Sequence, residues 1–215
     1  MRVRPLRHAL VAVGLGVAWA TGAAAHPHLW VTAESTVVYD RGAFTGLHHK
    51  WTFDELYAAV AIEGLDKNKD GKYDREELAE LAKVNVEGLK DFAYFTFPKL
   101  AGQDLKFGEV TDYWLEHKDG VLSMHFTLPF AQPVLVDAKG LTFSIQDPTF
   151  YIAFELAKTD PVRLGAGAPK DCKIRIGEPG RGPGNASGLG ESATAQLGAF
   201  GISASKTIAI DCNGS

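Results

Sequence analysis

Residues 66–77 read Asp-Lys-Asn-Lys-Asp-Gly-Lys-Tyr-Asp-Arg-Glu-Glu, a stretch too densely charged to enter any core. It must lie at the surface between two folded segments, and it fits D-x-[DN]-x-[DN]-G-x5-E at every fixed position. Calcium is a hard cation that takes roughly six to eight oxygens. Here Asp66, Asn68 and Asp70 offer side-chain oxygens, Lys72 a backbone carbonyl, Asp74 a carboxylate and Glu77 a bidentate one, while Gly71 permits the sharp turn. Tyr73 stands where an aliphatic residue usually pairs with a second hand, and the sequence has no second loop of this kind. A structural calcium site is therefore expected rather than a cooperative switch. The competing reading is a metal-free linker, since Asp, Asn and Gly also favour turns.

The flanks of this loop carry helical spacing. Phe53, Leu56, Val60 and Ala61 precede it, with Thr52 and Glu55 placed as a capping box, and Leu78, Leu81, Ala82, Val86, Leu89 and Phe92 follow it. The pattern predicts an EF-hand helix-loop-helix over 53–93. Elsewhere the period is two. Residues 29–39 and 43–51 alternate around Asp40-Arg41-Gly42, and 110–117 and 121–128 alternate around Asp119-Gly120, which predicts two hairpins. Further strands are expected at 134–137, 141–145, 173–176 and 206–210, with 150–157 as strand or short helix. The expected fold class is α+β, an antiparallel sheet with the helix-loop-helix inserted. Glycine and proline dominate 177–191, which reads as a flexible loop.

The amino end reads as an export signal: Arg2, Arg4 and Arg7, an apolar run from Ala9 to Ala20, then Ala23-Ala24-Ala25. The run is shorter than the roughly 20 apolar residues that span a bilayer. With no Arg-Arg pair, the general secretory route is expected, with cleavage after Ala25. The mature chain 26–215 then forms one periplasmic domain with no transmembrane segment. Cleavage removes three of the 22 basic side chains and none of the 26 acidic ones, moving the formal charge from -4 to -7. Nucleic acid is a poor partner for such a chain. In an oxidising compartment the two cysteines, Cys172 and Cys212, read as a disulfide; two thiols ligating a metal are the alternative.

Cleavage after Ala25 leaves His26-Pro27-His28 at the new terminus, where His26 offers both an amine and an imidazole. Copper, nickel, cobalt or zinc suits such nitrogen ligands, with His28 and Asp54 completing the set. If Tyr39 pairs with Ala43, His28 faces Asp54 and His48 pairs with Glu34, far from the terminus. His49 then points to the apolar face as a core histidine. Around Asp119-Gly120, His125 pairs with Trp114 beside Glu116 on the polar face, while His117 shares the other face with Leu115, Leu122 and Met124. Asp147-Pro148 reads as a turn. The sequence has no G-x-S-x-G, no H-E-x-x-H and no phosphate-binding glycine loop, so an enzyme is not indicated.

Taken in order, His26-Pro27-His28-x-Trp30, Trp51-Thr52-Phe53-Asp54, the acidic loop, Asp91-Phe92-Ala93-Tyr94-Phe95-Thr96, Asp147-Pro148-x-Phe150-Tyr151 and Cys212 resemble one family. It is domain of unknown function 1007, uncharacterised periplasmic components of ABC-type transport systems. The resemblance implies metal handling in the periplasm beside a nickel, cobalt or zinc transporter, and it bears on His26, His28 and the segment 51–54. Two functions are therefore expected to compete. One is a metal-binding accessory of a transition-metal transporter with a structural calcium site; the other is a calcium-stabilised protein that docks a transporter without binding a transition metal. An oxidase built on a copper-binding terminal histidine is the least favoured, because no substrate cleft is visible in the sequence.

Overall fold

The computed structural model describes residues 27–177 and 205–212. The expected signal peptide 1–25, His26 and nearly all of the Gly/Pro-rich segment 177–191 lie outside the described residues.

Alternation between apolar and polar residues decides most of the architecture. β1 (Leu29–Asp40) buries every second side chain and β2 (Ala43–Phe53) does so from Leu47 to Trp51, and the turn between them carries positive φ at Arg41 and Gly42, as a tight hairpin needs. Helices α1 (Glu55–Ala61) and α2 (Ala79–Lys90) come next, followed by the short strands β3 (Thr96–Leu100) and β4 (Gln103–Asp104). The second hairpin is β5 (Tyr113–Lys118) and the long β6 (Val121–Leu135), turning at Asp119 and Gly120, both again at positive φ. β7 (Leu141–Ile145), β8 (Ile152–Leu156), β9 (Val162–Leu164), β10 (Lys173–Ile176) and β11 (Ile208–Asp211) complete the chain.

The strands form two sheets. One has the order β5-β6-β2-β1-β8, with β9 also paired to β1, and the other β10-β11-β7-β3-β4. A single apolar core joins them, running from Val31, Leu47, Trp51, Met124 and Phe126 to Phe143, Ile145, Ile208 and Ile210. Aromatic contacts link the sheets directly: Phe95, which leads into β3, lies 5.6 Å from Phe154 of β8. β2 and β6 approach so closely at Gly46 that any Cβ there would run into the Leu128 carbonyl. Cys172 and Cys212 form a disulfide that extends the β10–β11 pairing by one step, next to Lys173 opposite Asp211.

The α+β expectation is overturned. Eleven strands stand against two α-helices of 7 and 12 residues among the described residues, so the fold is β-rich. The sheets are not purely antiparallel either, because β1 runs parallel to β8 and β9. The EF-hand helix-loop-helix over 53–93 also fails. Phe53 still belongs to β2, opposite Val31, and Thr52 bonds Ser123 across the sheet instead of capping a helix. Asp54 is the cap, accepting from the Tyr57 N–H. Gly64 at φ 77° follows the end of α1 before the acidic loop begins, and α2 starts only after Glu77. Leu56 and Val60, read as a buried helical stripe, are 77% and 66% exposed, so only Ala58 of α1 is buried. Two turns of helix cover too little surface to make a layer of their own.

Between α2 and β3 the backbone turns left-handed for three consecutive residues, Ala93, Tyr94 and Phe95, with φ of 51°, 53° and 46°. Such residues cost about 1–2 kcal/mol each. Burial of Tyr94 and Phe95 offsets that cost.

Candidate functional site

Chemistry-bearing side chains collect in three places. The first is the loop 66–77. Its carboxylates are directed by its own backbone: Asp66 accepts from the N–H groups of Asp70 and Gly71, and Asn68 from that of Asp70. Asp70 accepts from Lys72, and Asp74 from Glu76 and Glu77. Glu77 folds back over the loop, 8% exposed, and its two oxygens accept from Lys67, Asn68 and Asp74. The last position is thereby laid over the first three. The donor set is all oxygen, which suits a hard divalent cation; the Asp66, Asn68 and Asp70 oxygens and Glu77 Oε2 each accept at most one backbone N–H and keep a lone pair, whereas Asp74 Oδ1 and Glu77 Oε1 each accept two.

The loop is tied to β5 by two aromatic contacts. Tyr73 meets His117 at 5.0 Å between ring centroids, and the Arg75 guanidinium lies 4.4 Å above the Trp114 ring. The first uses the core-side face of β5 and the second the outer face, so the loop grips the strand from both sides.

The second place is the start of β1. The His28 N–H donates to the Tyr151 carbonyl and its ring stacks on Tyr151 at 4.9 Å, while the residue stays exposed. Asp54 holds the next turn of the strand, accepting from the Trp30 N–H at 3.0 Å while its own N–H donates to the Trp30 carbonyl. Behind Tyr151 lies Asp147, 6% exposed, whose carboxylate accepts from Thr149 N–H and hydroxyl and from the N–H groups of Tyr151 and Ile152. The expected turn at Asp147-Pro148 is thus wound around a buried carboxylate. Of the expected ligand trio, His28 and Asp54 share this end of the sheet. Asp54 uses both oxygens on backbone N–H groups, and His26 lies outside the described residues.

The third place was not assembled from the sequence. The β1–β2 pairing slips at a bulge between Val38 and Tyr39, so His48 lies opposite Thr36, and Glu34 lies opposite Lys50, to which it is ion-paired at 3.3 Å. The expected His48–Glu34 and His28–Asp54 pairings rested on Tyr39 opposite Ala43; Tyr39 instead lies opposite Phe44, and the bulge adds a further residue, so the register moves by two. The neighbour of His48 comes instead from β6, where Lys50 pairs with His125 and His48 with Thr127. The two imidazole centroids lie 6.0 Å apart. Trp114 stacks flat on His125 at 4.7 Å, and Glu116 reaches within 3.5 Å of its Nε2. Each hairpin was legible by itself; the pairing of β2 with β6 has no local turn to announce it.

Burial lowers the affinity of His48 and His125 for a proton, against the pull of Asp112 on the first and Glu116 on the second. His49 is the core histidine the alternation implied, with no exposed surface, and burial, reinforced by His48, pushes it down to about 3. It is not merely packed. Thr96 donates its only hydroxyl proton to the Tyr94 carbonyl, so His49 Nε2–H donates to Thr96, and Nδ1 accepts from Ser35. Among the described residues no three His, Cys, Asp or Glu side chains are placed as they stand to hold one metal ion. No described helix is long and apolar enough to cross a membrane.

Residues 11–212 match the family described as protein of unknown function, DUF1007. The chain belongs to the DUF1007 family. An uncharacterised protein of Haemophilus influenzae is 24% identical over 202 residues, covering 92% of this chain and 96% of that one. An uncharacterised 15.5 kDa protein of Spirochaeta aurantia is 32% identical over 100 residues, 46% of this chain and 70% of its own. In this DUF1007 chain two groups of the residues that carried the resemblance lie together, apart from the acidic loop and Cys212. His28, Trp30, Asp54, Asp147 and Tyr151 meet at the start of β1, while Tyr94 and Thr96 enclose His49 in the core.

Proposed function

We propose that this DUF1007 protein is a non-catalytic periplasmic metal-binding accessory of an inner-membrane transition-metal transporter. Calcium in the loop 66–77 stiffens it against β5. The ion it handles, nickel, cobalt, zinc or copper, is taken at the His26 and His28 end. The observation that carries this reading is the state of His28: its backbone is fixed by Tyr151 and its ring is held by stacking, yet the residue is exposed. A ligand held in place on the surface can deliver an ion to another protein without unfolding. Asp54 serves here as the anchor that fixes Trp30, two residues along.

Trp30 and Tyr151, 44% and 58% exposed on either side of His28, favour a second reading, in which the same end docks a transporter with no transition metal. Calorimetric titration with Cu(II), Ni(II), Co(II) and Zn(II) separates the two. It compares the protein beginning at His26, a version with one additional leading alanine, and His28→Ala. The accessory reading requires weaker binding in both altered proteins, because an amide in place of the terminal amine cannot ligate. Equal affinity in all three transfers the role to docking.

A further inference from the structure

We propose that His48 Nε2, His125 Nε2 and the Glu116 carboxylate form a separate site for a borderline divalent transition ion, such as Zn(II) or Cu(II), on the outer face of the six-stranded sheet.

The Thr127 hydroxyl donates to Asp112 at 2.8 Å, so toward His48 it can only accept, and His48 Nδ1–H must be the donor at 2.9 Å. The neutral ring therefore carries its lone pair on Nε2. A carboxylate acting through a hydroxyl to fix the far nitrogen is the outer-shell support that metal-binding histidines use.

His125 supplies the second donor. Its Nε2 is shielded from solvent and has no hydrogen-bond partner, although Glu116 stands 3.5 Å away. That separation is too long for a good hydrogen bond. It is close to the spacing of about 3.4 Å between two ligands that share one tetrahedral ion at metal–ligand distances of roughly 2.0–2.1 Å. The 6.0 Å between the two imidazole centroids is likewise near the roughly 5–6 Å expected for rings sharing one ion through Nε2.

The ring positions are held from outside the pair. Trp114 lies flat against His125, and Arg75 closes over Trp114 from the acidic loop. Lys50, opposite His125 in register, is ion-paired to Glu34, though its charge still reaches His125 and opposes a proton there. Glu116, with a side chain 52% exposed, is the arm free to swing inward and close the site. Burial keeps both imidazoles neutral at pH 7, so neither has to shed a proton first.

Zn(II) competition against a chromogenic chelator, in calcium-containing buffer on the full mature protein, tests the site. His48→Gln and His125→Gln should each remove the tight zinc equivalent. Thr127→Val, which touches no metal, should weaken it by about 10–100-fold through His48 alone. Glu116→Gln should weaken it, and His28→Ala should leave it unchanged, so this site and the amino-terminal one stand or fall separately. Imidazole 15N spectra of the unaltered protein decide the matter even where a variant does not fold. The Nε2 signals of both His48 and His125 must move by the second equivalent of zinc, enough to fill the amino-terminal site as well. Stationary signals, or unchanged zinc affinity in the folded His48 and His125 variants, would overturn the proposal.

Discussion

Tyr73 of the acidic loop meets His117 of β5 edge to face, their ring centroids 5.0 Å apart. The eighth position of a calcium loop ordinarily leans on a second loop; here a strand histidine takes that place. The loop is thus braced by the sheet, and its ion should report on the stability of the whole domain.

Calcium is accordingly expected to raise the melting temperature, with a gain of about 2.7 kcal/mol at a hundredfold excess over Kd. Glu77→Gln should abolish most of that gain, because Glu77 alone lays the end of the loop over its beginning. Differential scanning calorimetry with calcium and with chelator makes the comparison. An identical melting curve in both would remove calcium from the loop.

Acid should destabilise the fold through His49 before any ordinary carboxylate titrates. Its folded pKa of about 3 lies below its ordinary 6.5, so the unfolded chain binds the extra proton. Stability from the neutral ring is complete above pH 6.5 and falls as pH drops toward 3, by about 1.4 kcal/mol per pH unit. The surroundings offer the charged ring no carboxylate: Ser35, Thr96, Trp51 and Phe126 face it. Urea unfolding between pH 6.5 and 5, with chelator present, should show this slope, and His49→Gln should flatten it by close to one proton.

Asp147→Asn should cost about 2–4 kcal/mol, since an amide NH2 would face N–H groups that the carboxylate now accepts. The loss should release the stacked Tyr151 and with it His28. Urea midpoints measure the first effect, and proteolytic nicking near Tyr151 the second. A variant as stable as the parent would mean that the turn is held by its other contacts.

Ala93→Gly should stabilise the protein, against the usual cost of glycine. Ala93 has φ 51° and an exposed side chain, so glycine removes about 1 kcal/mol of strain and forfeits little packing. The same change at the buried Tyr94 should be strongly destabilising. Equilibrium unfolding of the two variants gives opposite signs if the left-handed turn is strained as described.

Much of the β-structure was legible because alternation and turn chemistry are local. Residues 141–145 and 173–176 are β7 and β10 to the residue, and both positive-φ hairpin turns lie where Gly42 and Gly120 mark them. The helices misled for the opposite reason. Leu56 and Val60 have helical spacing but no partner layer to bury them, and period alone does not reveal what lies opposite. The imidazole pair depended on the long-range pairing of β2 with β6, which leaves no mark in the residues themselves. The disulfide was legible because only two cysteines exist to join.

The parallel pairing of β1 with β8 and β9 has a consequence in time. Whichever machinery delivers the chain amino-terminal end first presents Leu29 long before Ile152 arrives to lie beside it. β2 can fold back at once, so one edge of β1 is covered early. The other edge stays bare until nearly three quarters of the chain has emerged, and long-range strand pairing of this kind is slow. During that interval β1, which will lie inside the sheet between β2 and β8, is an open edge, able to recruit any extended chain nearby. A guardian that binds the nascent chain has its greatest effect there, and a polypeptide cut short before Ile152 carries that exposure permanently.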